Sequence, residues 1–309
     1  MSRLIWPRSN TTLSETPDPE AFDMLPAYTF HERLKYPNLV AILRETIQQN
    51  SLLTRQVIRA GLIQVPDPET DAAPSDELIV VCKVAHGRRQ IARLKEEADI
   101  YNEDLRDLQG AIVPLVIGCY VGKTGEGWHV GVLILEDCGN RLEWNLPSYS
   151  QSLRKQAVLS LLAIHRKGVV HGDFKGRNIV AKKRDDGQIE IRIIDFDRSY
   201  KAVCPFQGDE SELTESYAQP PERRDFPCDE LYDACWDASI WFDRRIMLST
   251  GHSWLVETLQ HPEIAVDSIM LPPGMTREDA IREISRHIIA LAGALERRQA
   301  IDADPCVPE

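Results

Sequence analysis

Apolar and polar positions along the chain follow two rhythms, one of period two and one near 3.6. The run Leu78-Ile79-Val80-Val81-Cys82-Lys83-Val84 is rich in β-branched residues and predicts a strand. Residues 52–65 alternate enough for one or two strands. Residues 112–121 and 129–136 predict two more, joined by a glycine-rich turn from Gly122 to Gly127. Residues 190–194 predict a short apolar strand. Leu34, Leu39, Ile42, Leu43 and Ile47 fall on roughly one helical face, so residues 31–50 are predicted helical. A charged helix is predicted from about Gln90 to Leu108. Another is predicted over 151–166, where Leu153, Ala157, Leu161 and Ile164 share a face. Residues 231–248 and 276–298 predict two further helices. In the last, Thr276 and Asp279 have capping-box spacing ahead of an apolar face of Ile281, Ile284, Ile288, Leu291 and Leu295.

The segments between break these rhythms. Residues 1–30 are rich in Ser, Thr, Pro and acids and predict a weakly ordered leader. Pro66 to Asp76 predicts a polar loop, and 200–230 predicts another. No internal repeat is present. Strands with one helix come first and helices follow, which predicts an α+β chain. The seam falls near Cys138-Gly139-Asn140, dividing it into 1–50 (leader and helix), 51–138 and 139–309. A cleft at such a seam is a common ligand site.

Composition narrows the function classes. The 309 residues are 43% apolar and 27% charged, enough for a sizeable core. A net charge of −12 argues against broad nucleic-acid binding, which needs clustered Lys and Arg. The seven cysteines are irregularly spaced and form no C-x-x-C pair, so neither a zinc ribbon nor a redox motif is indicated. Reduced thiols in an intracellular compartment, cytoplasmic or nuclear, are the simplest expectation. Neither a secretory signal nor an apolar run of transmembrane length is visible, so no membrane partner is expected. A monomer is expected.

The chemistry concentrates in residues 171–197. Asp173 and Asn178 lie five apart on a predicted loop after Gly168-Val169-Val170. Asp195 follows two strands separated by a turn at Asp185-Asp186-Gly187, a hairpin expected to bring it back beside Asn178. Oxygen donors of this kind suit magnesium. Phosphoryl transfer needs such donors, a cation on the phosphates and a held acceptor hydroxyl.

These residues carry a resemblance. His171-x-Asp173-x-Lys175-x-x-Asn178 resembles the catalytic loop of protein kinases, and Asp195-Phe196-Asp197 resembles their D-F-G. The approach from Leu162 to Val170 is similar too. The resemblance runs over about residues 75–245 and implies a bilobal protein-kinase-like fold: an antiparallel sheet with one helix, then a mainly helical lobe. It implies ATP and Mg2+ as cofactors. Asp173 would orient or deprotonate the acceptor hydroxyl, Lys175 would neutralise the transferred group, and Asn178 and Asp195 would hold magnesium. Val81-Cys82-Lys83-Val84-Ala85 resembles the strand that carries the phosphate-binding lysine, here Lys83. Glu97 is preferred over Glu96 as its partner, because Glu97 to Pro114 resembles the corresponding helix and turn of kinase-like proteins found widely in fungi. Leu133 to Gly139, with Glu136 and Cys138, resembles the hinge whose backbone holds adenine.

The chain departs from ordinary protein kinases in four places. No G-x-G-x-x-G precedes Lys83, so the phosphate-covering loop is expected to be shortened or remodelled. Gly172 replaces the loop arginine, giving the H-G-D of RIO-type, aminoglycoside and choline kinases. Asp197 replaces the last glycine of D-F-G. There is no A-P-E, and Pro220-Pro221-Glu222 is the nearest candidate. Plain structural roles stand beside the chemical ones. Lys83 has the character of an edge-strand lysine, and Glu97 sits in a charged run that suits a solvated helix face. His171 is expected to be a structural hydrogen-bonding residue. Three functions stay open: a Ser/Thr protein kinase, favoured by Lys175; a small-molecule kinase, favoured by Gly172 and Asp197; and a non-catalytic pseudokinase scaffold, favoured by the missing glycine loop.

Overall fold

A computed structural model describes residues 3–7, 22–29, 38–52, 54–66, 74–249, 251–259 and 261–308. The chain is mixed α/β and divides into two compact units. One holds the residues up to 141 together with 160–204, and the other holds 142–159 with 205–308.

The first unit is built on a closed seven-stranded barrel. Its strands are β1 (Arg3–Trp6), β2 (Phe22–Thr29), β3 (Asn38–Gln49), β4 (Arg55–Val65), β5 (Leu78–His86), β6 (Val116–Lys123) and β7 (His129–Glu136), in the order β1-β2-β6-β7-β5-β4-β3. The period of two explains the barrel directly. Ile58, Ala60 and Leu62 on β4 face Val80, Cys82 and Val84 on β5 within one buried cluster. The intervening positions, Arg55, Val57, Arg59 and Lys83, are therefore presented on the outer face. Helix α1 (Arg88–Asp99) follows β5 and continues as one π turn, Ile100–Asp104. Its Ile91, Leu94 and Ala98 are buried.

Two sequence expectations are corrected here. Residues 38–49 are strand β3, where a helix is predicted over 31–50; residues 31–37 lie outside the described set. Leu39, Ala41 and Leu43 are buried at period two, but register shifts between Leu43 and Glu45 and between Thr46 and Gln48 break the alternation and imitate helical spacing. Pairing with β4 on one edge and β1 on the other decides the matter, since sheet neighbours override local propensity. The predicted leader also supplies strands. Leu4, Trp6 and Met24 are fully buried in the barrel, and β1 closes it by pairing antiparallel with β2 and parallel with β3. Residues 8–21 lie outside the described set.

The rest of this unit carries the loop and hairpin of interest. These are β8 (Asn140–Arg141), the C-terminal end of α2 (Gln151–Arg166), β9 (Val169–Val170), β10 (Ile179–Lys183), β11 (Ile189–Ile193) and β12 (Tyr200–Lys201). Strand β10 pairs with β11 and β8, and β12 pairs with β9.

The second unit contains α3 (Glu210–Thr214), α4 (Asp229–Asp237), β13 (Arg245–Met247), β14 (Ser253–Leu255), α5 (Pro262–Asp267) and α6 (Arg277–Ala303). The capping box opens α6 as its spacing predicts, with Asp279 N donating to Thr276 Oγ1 at 3.1 Å. Helix α4 stops at Asp237, well short of the predicted 248. Ser239 adopts φ 48°, and the 238 and 239 carbonyls accept from the buried Arg154 Nη1 at 2.9 and 2.7 Å. A side chain that claims these carbonyls ends the helical ladder. Among the described residues, no helix is long and apolar enough to cross a membrane.

Candidate active site

The site lies within the first unit. Strand β5 presents Lys83 on the outer barrel face, and its Nζ donates to Glu97 Oε1 and to Asp195 Oδ1, each at 2.6 Å. Glu97 is 3% exposed, so its carboxylate is taken out of water and must be paired. The same Oε1 accepts the Phe196 N–H at 3.1 Å, which ties α1, β5 and the 195–196 segment to one atom. Glu96 makes no such contact among the bonds described.

Burial drives the Asp195 carboxyl upward, but the Lys83 ammonium, with Arg141, outweighs it and holds the pKa below the ordinary carboxylate value. Burial likewise pulls Lys83 down, and Glu97 and Asp195 reverse that and lift it. Lys83 is thus an ammonium fixed between two carboxylates. Asp195 itself sits at φ 74°, a strained conformation for a residue with a side chain.

The β10–β11 hairpin brings the two ends of the motif together. Ile179 pairs with Ile193, and the Ile194 N–H donates to the Asn178 carbonyl at 2.9 Å. Asn178 is buried, and its Nδ2 donates to the Asp173 carbonyl at 2.8 Å and to Asp173 Oδ2 at 3.3 Å. That commits the amide nitrogen and leaves Asn178 Oδ1 as an acceptor that could hold a cation. The Asp195 carboxylate and the Asn178 amide oxygen, brought to neighbouring segments by the hairpin, are hard donors of the kind magnesium takes.

Asp173 has a partner the sequence reading passed over. Arg177 Nη2 donates to both of its carboxylate oxygens, at 2.7 and 2.8 Å. The signal was the opposite-charge i,i+4 spacing, on a one-turn 3-10 segment rather than a helix. Lys175 is exposed and extended just before that turn. His171 is fully buried; its Nδ1 accepts the Asp173 N–H at 3.3 Å and its Nε2 donates to the Ile194 carbonyl at 3.0 Å. With both ring nitrogens engaged, it positions the loop and is no base. Its ring packs on Phe196 at 4.9 Å between centroids, and Phe196 packs edge-on against Tyr101 at 5.0 Å.

Gly172 has a steric reason. Its φ is 76°, and a Cβ there would lie 2.5 Å from the Arg198 carbonyl oxygen. An arginine at this position would meet the same obstacle. Gly172→Ala is expected to destabilise the chain by more than the roughly 1–2 kcal/mol of left-handed strain alone. Gly187→Ala is the control, since Gly187 has φ 83° with open space around it. Urea denaturation of both variants checks this, and equal losses would mean that the Arg198 contact costs nothing.

The hinge candidates sit at the end of β7. Glu136 Oε2 accepts the Leu115 N–H at 3.1 Å, and Cys138 is buried, with its thiol pushed up to about 12 chiefly by burial. Val57, Val81, Leu135, Cys138, Val180 and Ile194 line an apolar slot that Lys83 also borders. Gly139, at φ 93°, has no room for a side chain, because a Cβ would lie 2.1 Å from the Ala181 carbonyl oxygen.

The β3–β4 turn borders the same cavity as Lys83 and has no glycine. Asn50 N donates to the Arg55 carbonyl at 3.1 Å, Asn50 Oδ1 accepts from Arg55 N at 3.0 Å, and Asn50 Nδ2 donates to Thr54 Oγ1 at 2.9 Å. From the start of β4, Arg55 Nη1 reaches Asp197 Oδ2 at 2.6 Å. Neither Arg55 nor Arg141 was signalled by any motif, because their placement depends on strand register.

No curated protein matches the chain. Residues 103–215 match the model of the lipopolysaccharide kinase (Kdo/WaaP) family. That stretch takes in Asp173, Lys175, Asn178 and Asp195 and leaves Lys83 and Glu97 outside. Over a little more than a third of its length, the chain is therefore similar to a kinase family.

Proposed function

We propose that this chain is an ATP- and magnesium-dependent phosphotransferase with a bilobal protein-kinase-like fold, acting on a hydroxyl acceptor inside the cell. The observation that carries the reading is Lys83 Nζ bridging Glu97 and Asp195 at 2.6 Å each, beside the Asp173–Asn178 loop. The roles follow from the chemistry. Lys83, braced by Glu97, holds the nucleotide phosphates, and the backbone from Glu136 to Cys138 holds the base over the apolar slot. Asn178 and Asp195 hold magnesium, which when bound neutralises phosphate charge. Asp173 orients the acceptor hydroxyl and takes its proton, releasing Arg177 as the acceptor enters. Lys175 stabilises the transferred group.

For the acceptor, the position of Lys175 favours Ser or Thr hydroxyls of proteins. A second reading, a non-protein acceptor, is supported by Gly172 and by the match to a family whose printed name is lipopolysaccharide kinase. A panel of generic proteins against sugars and amino alcohols, with labelled ATP, separates the two.

The enzyme reading is tested first by thermal stabilisation. Millimolar ATP with magnesium is expected to raise the melting midpoint by mass action, and Asp195→Ala is expected to remove the magnesium-dependent part. If wild type gains nothing from ATP and magnesium, the scaffold reading replaces the enzyme.

A further inference from the structure

We infer that Arg55 is a phosphate-binding residue that takes over the work of the missing glycine loop, and that Asp197 and Gln90 are its positioning partners. The inference rests on the nucleotide-binding reading above and deepens it. A glycine loop binds phosphate through backbone N–H groups that come close because no side chain intervenes. Here the turn has no glycine to open that route. The Asn50 and Arg55 N–H groups are spent on closing the β3–β4 turn, and the Thr54 carbonyl accepts from His86 N at 2.9 Å, stitching the turn to the end of β5. A side-chain cation can do the same work.

Register puts Arg55 where it is needed. Val57 pairs with Lys83 and Arg55 with Ala85, so Arg55 projects from the same sheet face as Lys83, one position nearer the turn. A cavity of about 420 Å³ lies there, lined by Asn50, Arg55, Lys83, Arg141, Asp195 and Asp197 among others. Arg55 is held over it rather than left to solvent. Its Nε donates to Gln90 Oε1 at 2.7 Å and its Nη1 to Asp197 Oδ2 at 2.6 Å. These bonds take Nε and Nη1 and leave Nη2 to donate to a phosphate oxygen. A guanidinium fixed in this way is pre-organised and stays charged, so little freedom is lost when Nη2 meets a phosphate oxygen. The departure of Asp197 from D-F-G also gains a purpose. A glycine there would leave Arg55 without its carboxylate anchor.

The test compares ATP, ADP and adenosine binding by titration calorimetry, with magnesium, for wild type, Arg55→Gln, Arg55→Lys and Asp197→Asn. Arg55→Gln is expected to weaken ATP about ten- to a hundredfold, the range of a charge-assisted hydrogen bond, and to leave adenosine unchanged. Arg55→Lys is expected to recover part of the loss. Asp197→Asn is expected to weaken ATP less than Arg55→Gln does. Melting curves of the free variants check that each is folded, and Arg55→Lys serves if Arg55→Gln is not. If wild type prefers ATP to adenosine and both Arg55 variants keep that preference intact, the Arg55 inference is wrong and the phosphotransferase reading survives. If wild type itself binds ATP no better than adenosine, both are wrong.

Discussion

Asp173→Asn is expected to lower phosphoryl transfer by about 10²–10⁴-fold while leaving ATP affinity unchanged. The substitution is nearly isosteric and keeps one oxygen for Arg177, so the loop geometry set by His171 and Asn178 persists. What it removes is the carboxylate assigned to take the acceptor proton in the proposed function. Asp173 is the right group to probe because it is not among the contacts of Lys83. Loss of the Lys83 partners would disturb nucleotide binding and turnover together, whereas loss of Asp173 separates them. Single-turnover transfer from labelled ATP gives the rate, and calorimetry gives the affinity. A loss of less than about tenfold would remove Asp173 from the chemistry, and a matching loss in ATP affinity would show that the loop had moved.

The parts of this site that sequence reveals are those whose spacing along the chain equals their spacing in space. Asp173, Lys175 and Asn178 share one loop, and the Asp185-Asp186-Gly187 turn announces the hairpin that returns Asp195 to Asn178. Lys83 and Glu97 are a strand and a helix apart, and only a resemblance linked them. Arg55 and Arg141 escaped because each reaches the site through sheet register, which no local pattern encodes. The same reason hid the first staves of the barrel. Leu4 and Trp6 are two residues of a four-residue strand, too short to show a period, and only closure against β2 and β3 gives them a core. Strand β3 was misread because its register shifts broke the one rhythm that would have identified it. The β3–β4 turn combined both difficulties. Its expected glycines are absent, and the residues that build the turn, Asn50 and Thr54, are ordinary polar residues until their hydrogen bonds are seen.

Lys83 also shows why the plain structural reading of a charged residue has to be weighed by its surroundings. An edge lysine that only guards against aggregation points into water. Lys83 sits on β5 between β4 and β7, with 12% of its side chain exposed and two carboxylates within hydrogen-bond reach. An ammonium in that position is costly unless paired, and both partners come from separate elements. Glu97 by itself would satisfy it. Asp195 adds a second acceptor; in the proposed function a cation would draw its carboxylate away while phosphate takes its place beside the ammonium.

The largest effect on stability is expected in the second unit, from Asp302→Ala. Asp302 Oδ1 accepts from Arg154 Nη2 and, at 3.1 Å, from Arg298 Nη2, and Tyr217 Oη donates to Oδ2. Arg154 is 1% exposed, and its other donors go to the carbonyls of Tyr149, Ala238 and Ser239. Arg298 reaches the Pro147 carbonyl at 2.6 Å. One carboxylate therefore balances two buried guanidiniums that fasten the C-terminal end of α6 to the start of α2 and to the turn after α4. Removing one partner of such a network costs about 3–5 kcal/mol, because the charge left behind has no counter-ion. At about 2–4 °C per kcal/mol, the melting transition of this unit is expected to fall by roughly 10 °C. Calorimetric scans of Asp302→Ala and Asp302→Asn measure it, with Asn expected to lose less because it still accepts from one arginine. Combining Asp302→Leu with Arg154→Met and Arg298→Met separates the terms, since both guanidiniums lose their counter-ion with Asp302. If the penalty is the stranded charge, the triple variant recovers much of the loss; if it melts as low as Asp302→Ala, the network acts through shape, and the charge argument fails.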